Sequence, residues 1–352
     1  MKLRSGITFT IAAASILGAT YPVSAQEKDK MSSSENAAND HIPELEPIPE
    51  AISALMKQHH FDPSVESDPA YIVTQKRVAE LAKTASTRMD FVSGFNKIWR
   101  EGPFSHVRLS IAQSSAQEMA THLDSIRIGG GGAVLEWDND IAILTVKTMM
   151  GLDTIEEIDE AYEEITTRQA RALIVDLRQN EGGAFAVKPL LAHVLKEPVD
   201  GGVFVSRRWT GQRDRYPTID EVRLIEPWQG WSIKAFWNDL QTSEMIRMQV
   251  IPSAPTFDGP VYVLVSKKTA SAAELAADAF SVSGRAVLIG EKTAGEMLSQ
   301  TFFDLPHGLQ LSLPVGDYYA FHSGRIEGKG VQPHITTNAS EAMMVAKKLI
   351  GR

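Results

Sequence analysis

A serine at position 271 lies where an apolar run ends and a helix rich in small residues begins. The run from Val261 to Val265 predicts a buried strand, and a short polar turn separates it from the helix. The first backbone N–H groups of a helix have no partner within it, so they can stabilise an oxyanion next to the serine hydroxyl. Ser271 therefore has the placement of a nucleophile in an acyl-transfer enzyme. An ordinary N-cap serine is the alternative for this segment taken alone.

Two adjacent glycines follow another apolar run. Residues 172–177 predict a buried strand, and Gly182 and Gly183 lie a few residues beyond its end. Ligands of parallel α/β sheets bind at the carboxyl ends of the strands. Glycines at such a place allow backbone N–H groups to approach a substrate closely. A turn with no role in binding is the alternative.

A histidine and a glutamate are candidates for activating the serine. Ser105-His106 directly precedes an alternating apolar segment, and His106 could act as a general base near neutral pH. Glu327 lies in a glycine-rich turn and could orient this base. The alternatives are a hydrogen-bonded structural histidine and a solvated acid. Among the nine histidines of the chain, His322 is the nearest rival of His106.

The elements that would position these residues follow a clear order along the chain. Residues 51–104 have helical periodicity and predict a small N-terminal helical domain. Alternating segments then predict a strand at residues 107–111 and a hairpin around residues 138–140. Continuous apolar runs that predict buried strands lie at residues 172–177, 261–265 and 286–290. Helical segments between these runs predict an α/β core over residues 105–352, with β-α-β units and a mostly parallel sheet.

Residues 201–257 interrupt this alternation. Four of the six tryptophans lie in this segment, together with several arginines. One interpretation is an aromatic-rich insertion that faces a substrate or a partner, because aromatic and arginine side chains anchor interfaces well. The other is a self-packed excursion that covers the core, because large aromatic residues are usually buried.

The composition excludes several kinds of chemistry. The chain of 352 residues contains no cysteine, which rules out disulfides, thiol nucleophiles and thiolate metal sites. Its net charge of −9 argues against nucleic acid as a partner. His59-His60 with Asp62 is the only histidine cluster, and its spacing fits no standard zinc site. We therefore expect a protein whose reaction needs no metal or other cofactor.

The first 25 residues have the pattern of a signal peptide. Lys2 and Arg4 precede a short apolar run, and Val23-Ser24-Ala25 places small residues where a signal peptidase reads them. Polar residues interrupt the run, which is too short for a stable membrane span; an uncleaved anchor is the alternative. Residues 26–50 are polar and proline-containing and predict a disordered linker. We expect a periplasmic or secreted protein without stable membrane insertion after processing.

Four segments taken together resemble the tail-specific (C-terminal processing) serine peptidases. They are the strand and glycine pair around residues 172–183, the turn Thr269-Ala-Ser271-Ala-Ala-Glu274, the segment Ile289-Gly-Glu-Lys-Thr-Ala-Gly295, and Glu327-Gly-Lys-Gly-Val-Gln-Pro333. The resemblance covers roughly residues 50–352 in order. It implies a ClpP/crotonase-like core and hydrolysis of peptide bonds through an acyl-enzyme, with a peptide or unfolded protein as substrate.

Two catalytic types occur in this superfamily, and position 296 distinguishes them. One type uses a Ser–Lys dyad, but the place of its lysine is taken here by Glu296. The other type, that of the tricorn core and the interphotoreceptor retinoid-binding protein, uses a Ser–His–Ser–Glu tetrad. The resemblance implies that the tetrad consists of Ser105, His106, Ser271 and Glu327. It also implies an oxyanion hole formed by a Gly182 or Gly183 N–H and the Ala272 N–H.

Two features depart from the pattern of the processing peptidases. Only about 25 residues separate Ile111 from Leu135, which is too few for the PDZ domain that these peptidases usually carry. Recognition of a substrate tail by strand addition is therefore not expected. His334 replaces the acid that usually follows the last proline of the Glu327 turn. Because the superfamily includes a retinoid carrier, a catalytically silent protein that binds an apolar or peptide ligand is the alternative function.

Overall fold

The computed structural model of the chain describes residues 45–102 and 104–351, so the predicted signal peptide lies outside the described residues. The N-terminal helical region consists of α1 (Ile48–His59), α2 (Pro69–Thr84) and α3 (Arg88–Arg100), with a short 3-10 helix at Pro63–Ser67. The predicted linker extends to residue 50, but α1 begins at Ile48. Both Ile48 and Leu45, which precedes the helix, are buried. These two apolar side chains contribute to the core, which is why the helical region includes residues that the predicted linker claimed.

Side-chain caps set the starts of α2 and α3, whereas α1 has no such cap. Asp68 accepts a hydrogen bond from the Ala70 N–H at 2.7 Å, and Pro69 occupies the first helical position of α2. The apolar face of α3 is buried, as its periodicity predicts, and consists of Phe91, Phe95, Ile98 and Trp99. This face belongs to the same apolar cluster as Leu309, Leu311 and Leu313. The helical region therefore shares a core with the strands that follow.

A six-stranded sheet carries the predicted β-α-β units. Its strands are β2 (Ala133–Asp138), β3 (Ile141–Val146), β4 (Ala172–Asp176), β7 (Val261–Val265), β8 (Ala286–Gly290) and β12 (Ile335–Thr336). The order is β12-β8-β7-β4-β3-β2, and only the β2–β3 hairpin is antiparallel. Asn139 has a φ of 55° in the two-residue turn of that hairpin. The predicted α/β fold with a mostly parallel sheet is confirmed.

A second six-stranded sheet, which is antiparallel, was not predicted. Its strands are β1 (Arg108–Ile111), β5 (Val199–Ser206), β6 (Met245–Val250), β9 (Ser299–Leu305), β10 (Leu309–Ala320) and β11 (Gly324–Arg325). The strand β10 is buried along all twelve residues and pairs with β1, β5, β9 and β11. Residues 201–257 therefore contain most of β5 and all of β6 rather than a self-packed excursion from the core. Sequence periodicity identifies single strands, but it does not show which distant strands pair.

The remaining helices cover the two sheets. They are α4 (Ala116–Ser125), α5 (Leu152–Thr167), α6 (Val187–Ala192), α7 (Arg207–Thr210), α8 (Ile219–Arg223), α9 (Ile233–Thr242), α10 (Ala272–Val282) and α11 (Ala342–Ile350). Only α4 lies between β1 and β2, in keeping with the short separation that the sequence leaves there. Within residues 45–102 and 104–351, no helix has the length and apolar character needed to cross a membrane.

The tryptophans of residues 201–257 do not share one environment. Trp209 and Trp237 are buried, whereas Trp231 is 53% exposed. Trp228 is half-buried and stacks on Phe185, with 5.4 Å between the ring centroids. Some of these tryptophans therefore belong to the core, whereas others reach the surface.

Candidate active site

Ser271 occupies a strained turn between β7 and α10. Its φ is 54° and its ψ is −126°, a conformation that residues other than glycine rarely adopt. Strain of this kind persists only where the surrounding structure holds it, and it is typical of functional sites. Ser271 lines a cavity of about 130 Å³ together with His106. The tertiary structure therefore brings together the predicted nucleophile and the predicted base, which are 165 positions apart (271 − 106).

The buried carboxylate of Glu274 holds the Ser271 turn in place. Its Oε2 accepts hydrogen bonds from the N–H groups of Ser271 and Glu296, at 3.1 and 2.8 Å. Its Oε1 accepts from the Gly295 N–H at 2.7 Å and from Thr293 Oγ1 at 2.5 Å. Burial raises the pKa of this carboxyl, and the hydrogen bonds oppose that rise. Glu274 was not among the predicted site residues, although a glutamate three residues after a helix-start serine is the signature of a capping box.

His106 presents one ring nitrogen without a partner. Its φ is 62°, and its side chain is only 9% exposed. The Nδ1 atom is buried and makes no hydrogen bond; the nearest acid, Glu327, has its Oε1 at 3.9 Å. Burial lowers the pKa of the imidazole, and the charges of Glu327 and Glu296 oppose this effect. A neutral imidazole is the form that a general base requires.

Ser105 and Glu327 lie together, but the bridge from Ser105 to His106 is not made. Ser105 Oγ donates to Glu327 Oε1 at 2.7 Å, and the Met297 N–H donates to Glu327 Oε2 at 2.6 Å. In the tetrad that the resemblance implies, Ser105 would connect His106 to Glu327. Within residues 45–102 and 104–351, the Ser105 hydroxyl hydrogen-bonds to the acid and not to His106, whose Nδ1 lies beyond hydrogen-bond distance of that same acid. The carboxylate is thus fixed by two donors other than the imidazole.

Only one of the two predicted glycines has an available N–H group. The Gly182 N–H donates to the side chain of Asn180 at 2.9 Å, which leaves Gly183 as the candidate oxyanion donor of the two. The N–H groups of Gly183 and Ala272 have no acceptor within the described residues, and both residues line the cavity. Gly182 has a packing role instead, because a Cβ on it would lie 2.6 Å from Ser271 Cβ. Gly183 and Ala272 form the candidate oxyanion hole.

The rival residues lie elsewhere. His322 is exposed and does not line the cavity. The same holds for Lys292, the lysine nearest in sequence to position 296. Glu296, which occupies the place of the dyad lysine, does line it. Among the residues that the structure describes, no group of three or more histidines, aspartates and glutamates could hold a metal ion. His60 accordingly makes a local contact, with its Nδ1 2.9 Å from the Asp62 carbonyl oxygen.

Residues 140–337 match the family model described as Peptidase family S41. The chain is 27% identical over 177 residues to a carboxyl-terminal-processing protease of a Picosynechococcus species, covering 50% of this chain and 34% of that protein. It is 32% identical over 180 residues to the chloroplastic carboxyl-terminal-processing peptidase 2 of Arabidopsis thaliana, covering 50% and 28%. The aligned parts are thus about a third of the length of these curated relatives.

Solved structures show the same fold. A putative peptidase from Parabacteroides merdae has a TM-score of 0.60 at 15% identity, covering 88% of this chain and 97% of that one. The tricorn protease has a TM-score of 0.53 at 12% identity, covering 88% and 36%. The family model and the curated relatives confirm the resemblance to the tail-specific peptidase superfamily, and the solved structures confirm the fold.

Proposed function

The chain belongs to peptidase family S41, and we propose that it is a serine peptidase that hydrolyses peptide bonds through an acyl-enzyme on Ser271. One observation carries the proposal: Ser271 is held at a positive φ in the cavity that also contains His106 and two N–H groups without acceptors. A nucleophile, a base and an oxyanion hole are the three parts that acyl transfer needs.

In the proposed reaction His106 removes the proton of Ser271 Oγ as this oxygen attacks the scissile carbonyl carbon. The N–H groups of Gly183 and Ala272 stabilise the negative charge that develops on the carbonyl oxygen. His106 then gives its proton to the leaving amine, and the acyl-enzyme forms. A water molecule, deprotonated by the same imidazole, attacks the ester carbonyl carbon. The bond from that carbon to Ser271 Oγ then breaks, the imidazolium returns the proton to Oγ, and the second product leaves as an acid.

Ser105 and Glu327 act on the orientation and charge of His106 in this proposal. The imidazolium that forms during the reaction is stabilised by the Glu327 carboxylate, and Ser105 keeps that carboxylate in position. A ring movement of about 1 Å would bring Nδ1 into hydrogen-bond range of Glu327 Oε1. Catalytic hydrogen bonds are often long in the absence of substrate and tighten when it binds.

A catalytically silent binding protein is the second candidate. It is favoured by the open distance of 3.9 Å between His106 Nδ1 and Glu327 and by the largely apolar lining of the cavity. Such a protein would hold an apolar or peptide ligand next to Ser271 without forming a covalent bond to it.

We propose that the substrate is a peptide or an unfolded protein, by analogy with carboxyl-terminal-processing relatives. The segment from Lys2 to Ala25 supports an exported, periplasmic or secreted location. A PDZ domain is not expected between β1 and β2, so we propose that the substrate is recognised mainly within the cavity itself.

Labelling with a serine-reactive fluorophosphonate tests the proposal. The wild-type protein and the control Ser67→Ala, which alters an exposed serine of the N-terminal region, should both be labelled at Ser271. The Ser271→Ala variant should show no label. Absence of label on folded wild-type protein, together with peptide binding, would favour the silent binding protein.

A further inference from the structure

The cavity at Ser271 has an apolar interior. Six side chains that form it are Leu123, Phe204, Ile233, Phe236, Trp237 and Met248. Most of them come from β5, α9 and β6, that is, from the segment 201–257 that the sequence marked as aromatic-rich. Transfer of an apolar substrate side chain from water into this space would lower the free energy of the complex.

Two acidic residues, Glu181 and Glu296, line the same cavity as the proposed nucleophile. Glu181 precedes the glycine pair, and the Glu296 carbonyl oxygen accepts a hydrogen bond from the Ser271 N–H at 3.0 Å. Glu296 is exposed and Glu181 is half-buried. Neither side chain has a salt-bridge partner in the described residues. Their charges are therefore available to a substrate.

The two acids act on the site and on one another. Burial raises the pKa of the Glu181 carboxyl, and the Glu296 charge adds to that rise while Lys268 opposes it. The Glu296 charge also works to raise the pKa of His106, against the larger effect of burial. Lys268 itself donates to Gln179 at 3.1 Å and does not line the cavity. Among the described residues, no lysine or arginine lines this cavity.

We propose that Glu181 and Glu296 give the catalytic site a charge preference. The site binds a peptide segment whose apolar side chain enters the cavity and whose neighbouring residue is a lysine or arginine. A peptide with an acidic residue or a free terminal carboxylate at that place is repelled. Ser271 and His106 line the same cavity, so a peptide segment bound there lies against the proposed catalytic residues. The proposal rests on the proposed peptidase function, because it names the substrate class of that site.

The charge preference can be measured both in binding and in turnover. Fluorescent peptides with a common sequence and a central leucine would carry lysine, glutamine or glutamate beside that leucine. Dissociation constants are measured on Ser271→Ala protein and kcat/KM on protein with Ser271 intact. We expect affinity and kcat/KM to fall in the order lysine, glutamine, glutamate, with a difference of about tenfold or more between the lysine and the glutamate peptide. The difference should shrink in 0.5 M NaCl, because salt screens partly exposed charges.

Charge-neutralising variants identify the cause of the preference. The preference is the ratio of affinity, or of kcat/KM, for the lysine peptide over the glutamate peptide. Glu296→Gln and Glu181→Gln should each reduce this ratio about three- to tenfold, and the double variant should bring it close to one. The control Glu136→Gln neutralises an exposed acid on β2, outside the cavity, and should leave the ratio unchanged. Equal affinity for all three peptides, or a preference that persists in the double variant, would overturn the proposal.

The two proposals fail in different ways. If hydrolysis and labelling do not depend on Ser271 but the dissociation constants still follow peptide charge, the peptidase function is wrong and the charge selection stands. If Ser271-dependent hydrolysis is found without any charge preference, only the charge selection is wrong.

Discussion

Ser105 donates a hydrogen bond to Glu327, with 2.7 Å between Oγ and Oε1, although the two residues are 222 positions apart in the chain. The other carboxylate oxygen accepts the Met297 N–H at 2.6 Å. The imidazole of His106, directly after Ser105, is 3.9 Å from the same Oε1 atom that Ser105 holds. Ser105 and the Met297 N–H therefore hold the Glu327 carboxylate without any contribution from the imidazole.

The pair Ser105 and Glu327 should act as one unit. Ser105→Ala and Glu327→Gln are each expected to slow turnover by about 10- to 1000-fold, less than loss of the nucleophile, because they orient the base rather than react. The double variant should be little worse than either single variant. The measurement is kcat/KM on one peptide substrate. Losses that multiply in the double variant would show that the two residues act separately.

His106 rather than a lysine should activate Ser271. His106→Ala should remove activity, whereas Lys292→Ala and His322→Ala, which alter exposed residues outside the cavity, should not. Peptide hydrolysis by purified variants is the measurement. A dead Lys292→Ala variant would require a different base.

The pH profile should report the lowered pKa of His106. The base must be neutral, so activity is retained above its pKa and lost as the pH falls through it; burial places this acid limb of kcat/KM below the ordinary pKa of 6.5. Glu327→Gln removes a charge that raises this pKa, so the limb should move to still lower pH. An acid limb above pH 7 in the wild-type protein would contradict the assignment.

The strain at Ser271 should be visible in stability. Ser271→Gly and Ser271→Ala should both be inactive, but the glycine variant should be more stable by about 1 kcal/mol, because glycine adopts a positive φ without strain. Chemical unfolding of both variants is the measurement. The same pair of substitutions at Ser67, where φ is not positive, should show no such advantage for glycine.

Glu274 should be needed for the shape of the Ser271 turn. Its carboxylate faces four donors, so the amide N–H groups of Glu274→Gln would be placed against other donors. We expect a loss of about 2–4 kcal/mol in the free energy of unfolding, together with reduced labelling of Ser271. The matched control is Glu291→Gln, which changes a half-buried acid directly after β8. It should alter neither the free energy of unfolding nor the labelling of Ser271 appreciably.

Export should be accompanied by cleavage after Ala25, giving a mature chain that begins with Gln26. Removal of Lys2 and Arg4 without loss of any acid changes the net charge from −9 to −11. N-terminal sequencing of protein from the expressing cell checks this expectation. An intact N-terminus would support the uncleaved anchor instead.

Several parts of the site could be predicted from local sequence. The change from a β-branched run to small residues defines β7, the turn and α10, because strand and helix preferences act over a few neighbouring residues. The same holds for the end of β4 and its glycine pair, and for the hairpin of β2 and β3. The candidate nucleophile, the glycine segment and the mostly parallel sheet follow from these local signals.

The tertiary structure decided how distant segments meet. The pairing of β10 with β1, β5 and β9 creates the antiparallel sheet, and with it the contact between Ser105 and Glu327. Pairing of this kind depends on burial and on register between strands far apart in sequence, which periodicity does not specify.

The choice between neighbouring groups was also left to the tertiary structure. Sequence alone did not distinguish Gly182 from Gly183, because only the folded chain places the Asn180 side chain on the Gly182 N–H. Likewise, the sequence shows that Glu296 takes the place of a lysine, but only the folded chain puts its charge beside Ser271, Glu181 and His106. Residue types are local properties of the chain, whereas hydrogen-bond partners and electric fields arise from its three-dimensional packing.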